Sequence, residues 1–304
     1  MDRQENLIST GASVVRRNKR YVVWFYLLNL LFAWLGAAAF TSNARGILDH
    51  SLYADELLRG FDRAVLSELI ARPEFGPAQS STRPAMLFAF LFFLTSLVFM
   101  PGVLLGYSSD HPISREEFFR ACGQNLWRFV RLFVIYAVIA GIISGILFSA
   151  EGALVKAVDR TANDDRLPFL AQMLSLAIIF LVLTVVRIWF DLAQTDVVAS
   201  DQNAVRKSLG WAFQTTRRNL GRLLGTYVVV AIFGLVILAA GIVIWYEIVP
   251  PSSVLGAFIV SQAILLLLLG MRFWQRASAV AFYVKLAAEP EMEVQAPVGA
   301  VSAV

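Results

Sequence analysis

The sequence predicts an all-α, polytopic membrane bundle: six transmembrane helices, amphipathic helices at the interface, and a pattern suggesting three repeated helix-hairpin units. Three observations carry that prediction. Hydrophobic residues make up 58% of the 304-residue chain and charged residues only 16%, where soluble chains carry about 25% charged. The mean hydropathy of +0.66 is unevenly spread, because long uncharged blocks alternate with short segments that hold nearly all the charge. Six of those blocks reach the roughly 20 residues a helix needs to cross about 30 Å of hydrocarbon. Within lipid each must be helical, since an isolated strand or loop would leave its backbone groups unsatisfied.

Taken in order, the chain opens with Arg16, Arg17, Lys19 and Arg20 and enters a first span at Tyr21–Phe40. Trp24 and Tyr26 suit an interfacial belt. A cleavable signal peptide is the rival reading, with Ala37, Ala38 and Ala39 as the cleavage site, but the apolar block is long for one. The first connector sets Leu58, Phe61, Val65 and Leu69 at helical spacing among Asp55, Arg59, Asp62 and Glu68, which predicts an external helix lying on the bilayer. Arg72-Pro73 stops it, and Gly76 to Pro84 is a turn-rich return. The second span, Ala85–Tyr107, contains Pro101-Gly102, the composition of a kink.

Ser114 and Glu117 then form a capping-box pair after Pro112. Phe118, Phe119, Cys122, Leu126 and Phe129 recur at helical spacing, with Arg115, Glu116, Arg120 and Gln124 elsewhere, so an amphipathic helix should run into the third span, Phe129–Phe148. The fourth span is Pro168–Phe190. After Asp201 a second amphipathic helix places Val205, Leu209, Phe213 and Leu220 on one side and Arg206, Lys207, Gln214, Arg217 and Arg218 on the other. It feeds the fifth span, Leu223–Trp245, and Val254–Met271 is the sixth. Residues 1–288 thus read as one membrane domain, and residues 289–304, with Pro, Ala, Val and Glu in no usable period, as a disordered tail.

Orientation follows from the basic residues. The N-terminal segment, the second and fourth connectors, and the end of the last span, with Arg272, Arg276 and Lys285, are basic and fall on one side. The first and third connectors mix Lys and Arg with as many or more acids. Both termini are therefore expected in the cytoplasm. The same placement accounts for the net charge of +4 and pI near 9.4 without a nucleic-acid partner.

Internal similarity adds a layer. Asn125-Leu126-Trp127-Arg128 matches Asn219-Leu220-Gly221-Arg222, with Phe119 opposite Phe213, and Arg16-Arg17-Asn18 matches Arg217-Arg218-Asn219. Arg187-Ile188-Trp189 at the exit of the fourth span matches Arg272-Phe273-Trp274 at the exit of the sixth. We read three parallel units, 1–109, 110–200 and 201–288, each an interfacial helix followed by a transmembrane hairpin. Gly102 with Gly106, Gly141 with Gly145, and Gly221 with Gly225 are small-xxx-small pairs, read first as packing within the chain and second as homo-oligomer contacts.

Candidates for chemistry are few. Arg187 and Asp191 are four apart on one helix face at the end of the fourth span, and Arg272 and Arg276 take the corresponding places in the sixth. These four form a candidate polar mouth; the alternative is that they snorkel to the interface. Thr95, Ser96, Ser144, Ser175, Thr184 and Ser261 are candidates to line a path, although such hydroxyls commonly bond their own helix. His50 and His111 have no metal-spaced partner, Cys122 reads as a small buried hydrophobe, and no phosphate-binding or nucleophile motif occurs. We expect no cofactor and no enzymatic activity.

The two stretches Asp110–Phe133 and Asp201–Leu224, each a charged interfacial helix ending in Asn-Leu-x-Arg before a span, resemble bacterial six-helix membrane proteins of uncharacterised function. Some domains of that kind accompany glycerophosphodiester phosphodiesterases. The resemblance implies a helical bundle in the bacterial inner membrane and transfers no functional residue. The function expected is non-enzymatic binding of anionic lipid, a protein partner or a second copy, through Arg206, Lys207, Arg217 and Arg218; the alternative is a small-solute transporter or channel with the polar mouth at its inner end.

Overall fold

A computed structural model describes residues 2–49, 67, 71, 78–109, 111–161, 166–200, 204–250 and 252–295. Among them are eight helices and no strand: α1 (Asp2–Arg17), α2 (Lys19–Leu48), α3 (Ala78–Ser108), α4 (Arg115–Thr161), α5 (Arg166–Ala199), α6 (Val205–Arg218), α7 (Leu220–Glu247) and α8 (Val254–Gln295). Six of these, all but α1 and α6, are long and apolar enough to cross a membrane. The chain is an all-α multi-pass membrane protein. At most 28% of any span's most apolar window is buried within the protein, so hydrocarbon must cover the rest.

The expected external helix around Leu58 to Leu69 falls almost wholly outside the described residues, as do His50 and Asp110. The last helix continues to Gln295, into the stretch read as a tail; residues 296–304 lie outside the description. The capping box at the head of α4 is formed reciprocally: the Glu117 amide donates to Ser114 Oγ (3.1 Å) and the Ser114 amide donates to Glu117 Oε2 (2.7 Å). This satisfies two amides that the first helical turn would otherwise leave open. At about 1.5 Å per residue, the 47 residues of α4 run to about 70 Å, so interfacial head, span and outer extension are one helix.

The chain forms two compact units, Met1–Arg17 with Phe99–Val230 and Trp274–Val304, and Asn18–Val98 with Ala231–Phe273. In the first, α5 packs along both α4 and α6. Its core includes Val103, Phe118, Phe129, Leu132, Ile188, Leu192, Leu209, Leu223, Tyr227 and Val280. In the second, Phe25 packs edge-on against Phe273 at 5.2 Å, and the Tyr26 hydroxyl bonds Gln262.

Several positions paired by the internal similarity share burial or a hydrogen bond. Val22, Phe129 and Leu223 align and are all buried, as are Phe25, Leu132 and Thr226. The aligned Asn125 and Asn219 each turn the side-chain amide back to the carbonyl four residues earlier, both at 3.1 Å. Asn18 and Asn219 each interrupt the helix between an amphipathic segment and a span. The indole of Trp189 donates to the Leu209 carbonyl in α6, and the aligned indole of Trp274 donates to the Ile8 carbonyl in α1, both at 2.9 Å. Leu209 and Ile8 are themselves aligned positions. The exit of each of these spans is thus latched to an amphipathic helix in the same way, and the last span reaches the first helix of the chain.

Helix α3 runs through Pro101 and Gly102 to Ser108. Gly102 is small because a Cβ there would lie 2.6 Å from the Phe118 ring and 2.9 Å from Cys122 Sγ. Among the described residues, no atom lies within 4 Å of where a Cβ would stand at Gly141, Gly145 or Gly221.

Candidate functional site

Helix α6 is amphipathic because its residue types alternate at helical spacing. Val205, Ser208, Leu209, Ala212, Thr215 and Thr216 are buried, which at 3.6 residues per turn turns the opposite face outward. Arg206, Lys207, Arg217 and Arg218 are all exposed on it. Arg206, Phe213 and Arg217 fall along one line of the helix, seven and then four residues apart, and Lys207, Gln214 and Arg218 along the next. The exposed face is therefore a cationic strip with Phe213 at its centre.

Phe213 departs from the sequence expectation, which set it with Val205 and Leu209 on the inner side. It is 52% exposed, with its ring edge-on to Trp189 at 5.2 Å. Phe119, aligned with it, is 58% exposed and edge-on to Phe99 at 6.2 Å. Leu126 and Leu220 are also exposed. The buried stripe of α6 combines Val205 and Leu209 with Ser208, Ala212, Thr215 and Thr216, and that of α4 combines Phe118 with Ala121, Cys122 and Asn125. Phe213 and Phe119 lie at the margins of these stripes. At Trp127, 63% exposed, the Arg131 guanidinium lies 5.4 Å over the ring, a cation–π pair that holds an apolar and a charged group at the same depth.

The second cluster joins α5, α7 and α8. Asp191 is only 6% exposed. The Tyr227 hydroxyl donates to its Oδ2 at 2.8 Å, and the Gln275 side-chain amide donates to the Tyr227 carbonyl at 3.1 Å. Arg187 Nε lies 3.6 Å from Oδ2 and Arg276 Nε 3.6 Å from Oδ1, close enough to pair in charge but beyond the usual 2.7–3.2 Å of an N–H···O bond. Arg276 also reaches the Met100 sulfur at 2.8 Å, and the Arg187 guanidinium lies 6.0 Å over the Tyr227 ring. Asp191 thus ties α5 to α7 and α8, and it meets Arg276, its own counterpart in the internal alignment. Snorkelling does not describe this carboxylate; the half-buried Arg187 and Arg276 turn toward it, and the Arg276 Nε is buried. Arg272 belongs to the second unit and is exposed.

Tyr227 and Gln275 were not singled out from the sequence, since a tyrosine and a glutamine beside apolar runs carry no spacing signal. Of the hydroxyls considered for a path, Thr95, Ser96, Ser175, Thr184 and Ser261 donate to carbonyls of their own helices. Cys122 is buried, with Sγ 3.8 Å from the Phe99 carbonyl. Comparison with protein-family models, with curated proteins and with solved structures finds no match for this chain.

Proposed function

We propose that this protein is a non-enzymatic binding or scaffolding protein of the bacterial inner membrane, with both termini in the cytoplasm, that holds anionic phospholipid headgroups along α6. The observation that carries this reading is the outer face of α6: Arg206, Lys207, Arg217 and Arg218 all exposed around an exposed Phe213. Each cation near an anionic leaflet contributes about 1 kcal/mol, and an aromatic ring on the same face adds apolar contact at the headgroup boundary. Lipid is the nearest polyanion to a helix that leads directly into a span, so no nucleic acid is invoked. A protein partner or a second copy bearing an acidic face would meet the same strip.

A transporter reading draws less support, because five of the six hydroxyls considered for a path donate to their own helices and Asp191 is already held by three partners. The test is lipid selectivity in proteoliposomes, read with spin-labelled phosphatidylglycerol and phosphatidylcholine. Replacing Arg206, Lys207, Arg217 and Arg218 with Gln should remove most of the preference for phosphatidylglycerol while insertion is retained. An unchanged preference would sink the assignment.

A further inference from the structure

Helix α1 is held along its inner face. Leu7 and Gly11 are buried, the Trp274 indole donates to the Ile8 carbonyl, and a Cβ at Gly11 would lie 3.0 Å from the Ser278 backbone nitrogen. Ser13, Arg16 and Arg17, three and four residues apart, share the outer face, and all three are exposed. Among the described residues these three line a pocket of about 390 Å³.

The donors and acceptors of this pocket define what it can hold. Arg17 donates through one Nη to the Ser109 carbonyl at 2.9 Å, which fixes its guanidinium against the end of α3; a guanidinium has five N–H donors in all. Ser13 Oγ donates its proton to the Thr10 carbonyl at 2.7 Å, so toward the pocket it is an acceptor. The C-terminal ends of α1 and α3, at Arg17 and Ser108, each bring about half a unit of negative charge. Together they offset one of the two arginine charges and leave the pocket cationic. Neighbouring guanidiniums match the oxygens of a phosphate, and an acceptor one helical turn away matches a hydroxyl on the group esterified to it. Arg17 is four residues from Tyr21, where the apolar block begins, which puts the pocket within reach of lipid headgroups.

We propose that this pocket is a phosphate site: Arg16 and Arg17 bind the phosphate, and Ser13 accepts a hydrogen bond from a hydroxyl of its ester group. A phosphatidylglycerol headgroup and a small soluble phosphoester share that chemistry. Arg16 and Arg17 align with Arg217 and Arg218, but the site is on another helix and does not rest on the assignment made for α6.

The test is arginine modification by phenylglyoxal in the full-length protein reconstituted in liposomes, read residue by residue by mass spectrometry. The reference is phosphatidylcholine alone, and the two arms add phosphatidylglycerol to the bilayer or glycerol phosphate to the buffer. Modification of Arg16 should slow by about fivefold in at least one arm, and by less at Arg115, which is exposed at the head of α4. Slowing by phosphatidylglycerol alone identifies a lipid headgroup as the ligand, and slowing by glycerol phosphate identifies a soluble phosphoester. Arg16→Gln, which leaves the bond from Arg17 to Ser109 in place, should remove the protection of Arg17. Slowing at Arg16 no greater than at Arg115 in both arms would show surface screening only and overturn the proposal. So would protection found only in Asp110→Asn, because the chain's own carboxylate would then be the anion that fills the pocket.

Discussion

Replacing Tyr227 with Phe removes the hydroxyl that bonds Asp191 and tests what holds that carboxylate in place. Asp191 Oδ2 receives a hydrogen bond from Tyr227 at 2.8 Å, whereas the facing Arg187 and Arg276 nitrogens stand at 3.6 Å. The two cations balance the charge, but the tyrosine supplies the short bond. A hydrogen bond to a charged group contributes about 1.5–3 kcal/mol, and the carboxylate, 6% exposed, has little access to water in compensation. Tyr227→Phe should therefore destabilise the protein by about 1.5–3 kcal/mol. In an Asp191→Asn background the same substitution no longer strips a charged acceptor, so its cost should fall below about 1.5 kcal/mol, the net value of a neutral bond. The assay is reversible unfolding in mixed micelles, read by circular dichroism, for wild type, the two single variants and the double variant. The difference isolates the pair. Equal costs of Tyr227→Phe in both backgrounds would refute the reasoning and make the tyrosine a packing residue only.

Three further outcomes are expected. Trp189→Phe and Trp274→Phe each delete an indole bond at the same distance to an aligned carbonyl, so each should cost about 0.5–1.5 kcal/mol in the same unfolding assay, and a large asymmetry would break the equivalence. Gly102→Ala should cost about 1–3 kcal/mol by overpacking against Phe118, with part restored by Phe118→Leu; no effect would mean the ring yields freely. Glu117, ahead of the apolar part of α4, has its carboxyl held below the ordinary value by the Ser114 amide and then the Ser114 hydroxyl. Its contribution is full above its unfolded pKa, near 4.5, and is lost as pH falls through the lower folded value. Amide exchange in the first turn of α4, corrected for intrinsic rate, should quicken on acidification in wild type but not in Glu117→Gln.

Much of this architecture was legible in the sequence because membrane helices announce themselves by length and charge exclusion. Ser114 and Glu117 likewise formed the box their spacing describes. The faces of the interfacial helices were less legible. In water a large apolar residue such as Phe213 would seek the interior, but beside lipid it is equally stable outside, so hydrophobicity stops reporting burial there. The buried stripe of α6 holds Val205 and Leu209 beside Ala212, Thr215 and Thr216, so side-chain size did not mark it either. The pairing of Arg187 with Asp191 followed from their four-residue spacing. Arg276 and Tyr227 joined them only through the meeting of helices far apart in sequence, which no local pattern encodes. The matched motifs around Trp189 and Trp274 did signal equivalence, but not that both indoles latch onto aligned carbonyls.

The central claim, that the α6 face holds anionic lipid, is tested most directly by native mass spectrometry of the gently extracted protein, recording every bound lipid and protein. Retained anionic phospholipid is expected in the wild type, and its loss when Arg206, Lys207, Arg217 and Arg218 are replaced with Gln. A bare protein, or lipid retention indifferent to headgroup charge and to those four substitutions, would contradict it.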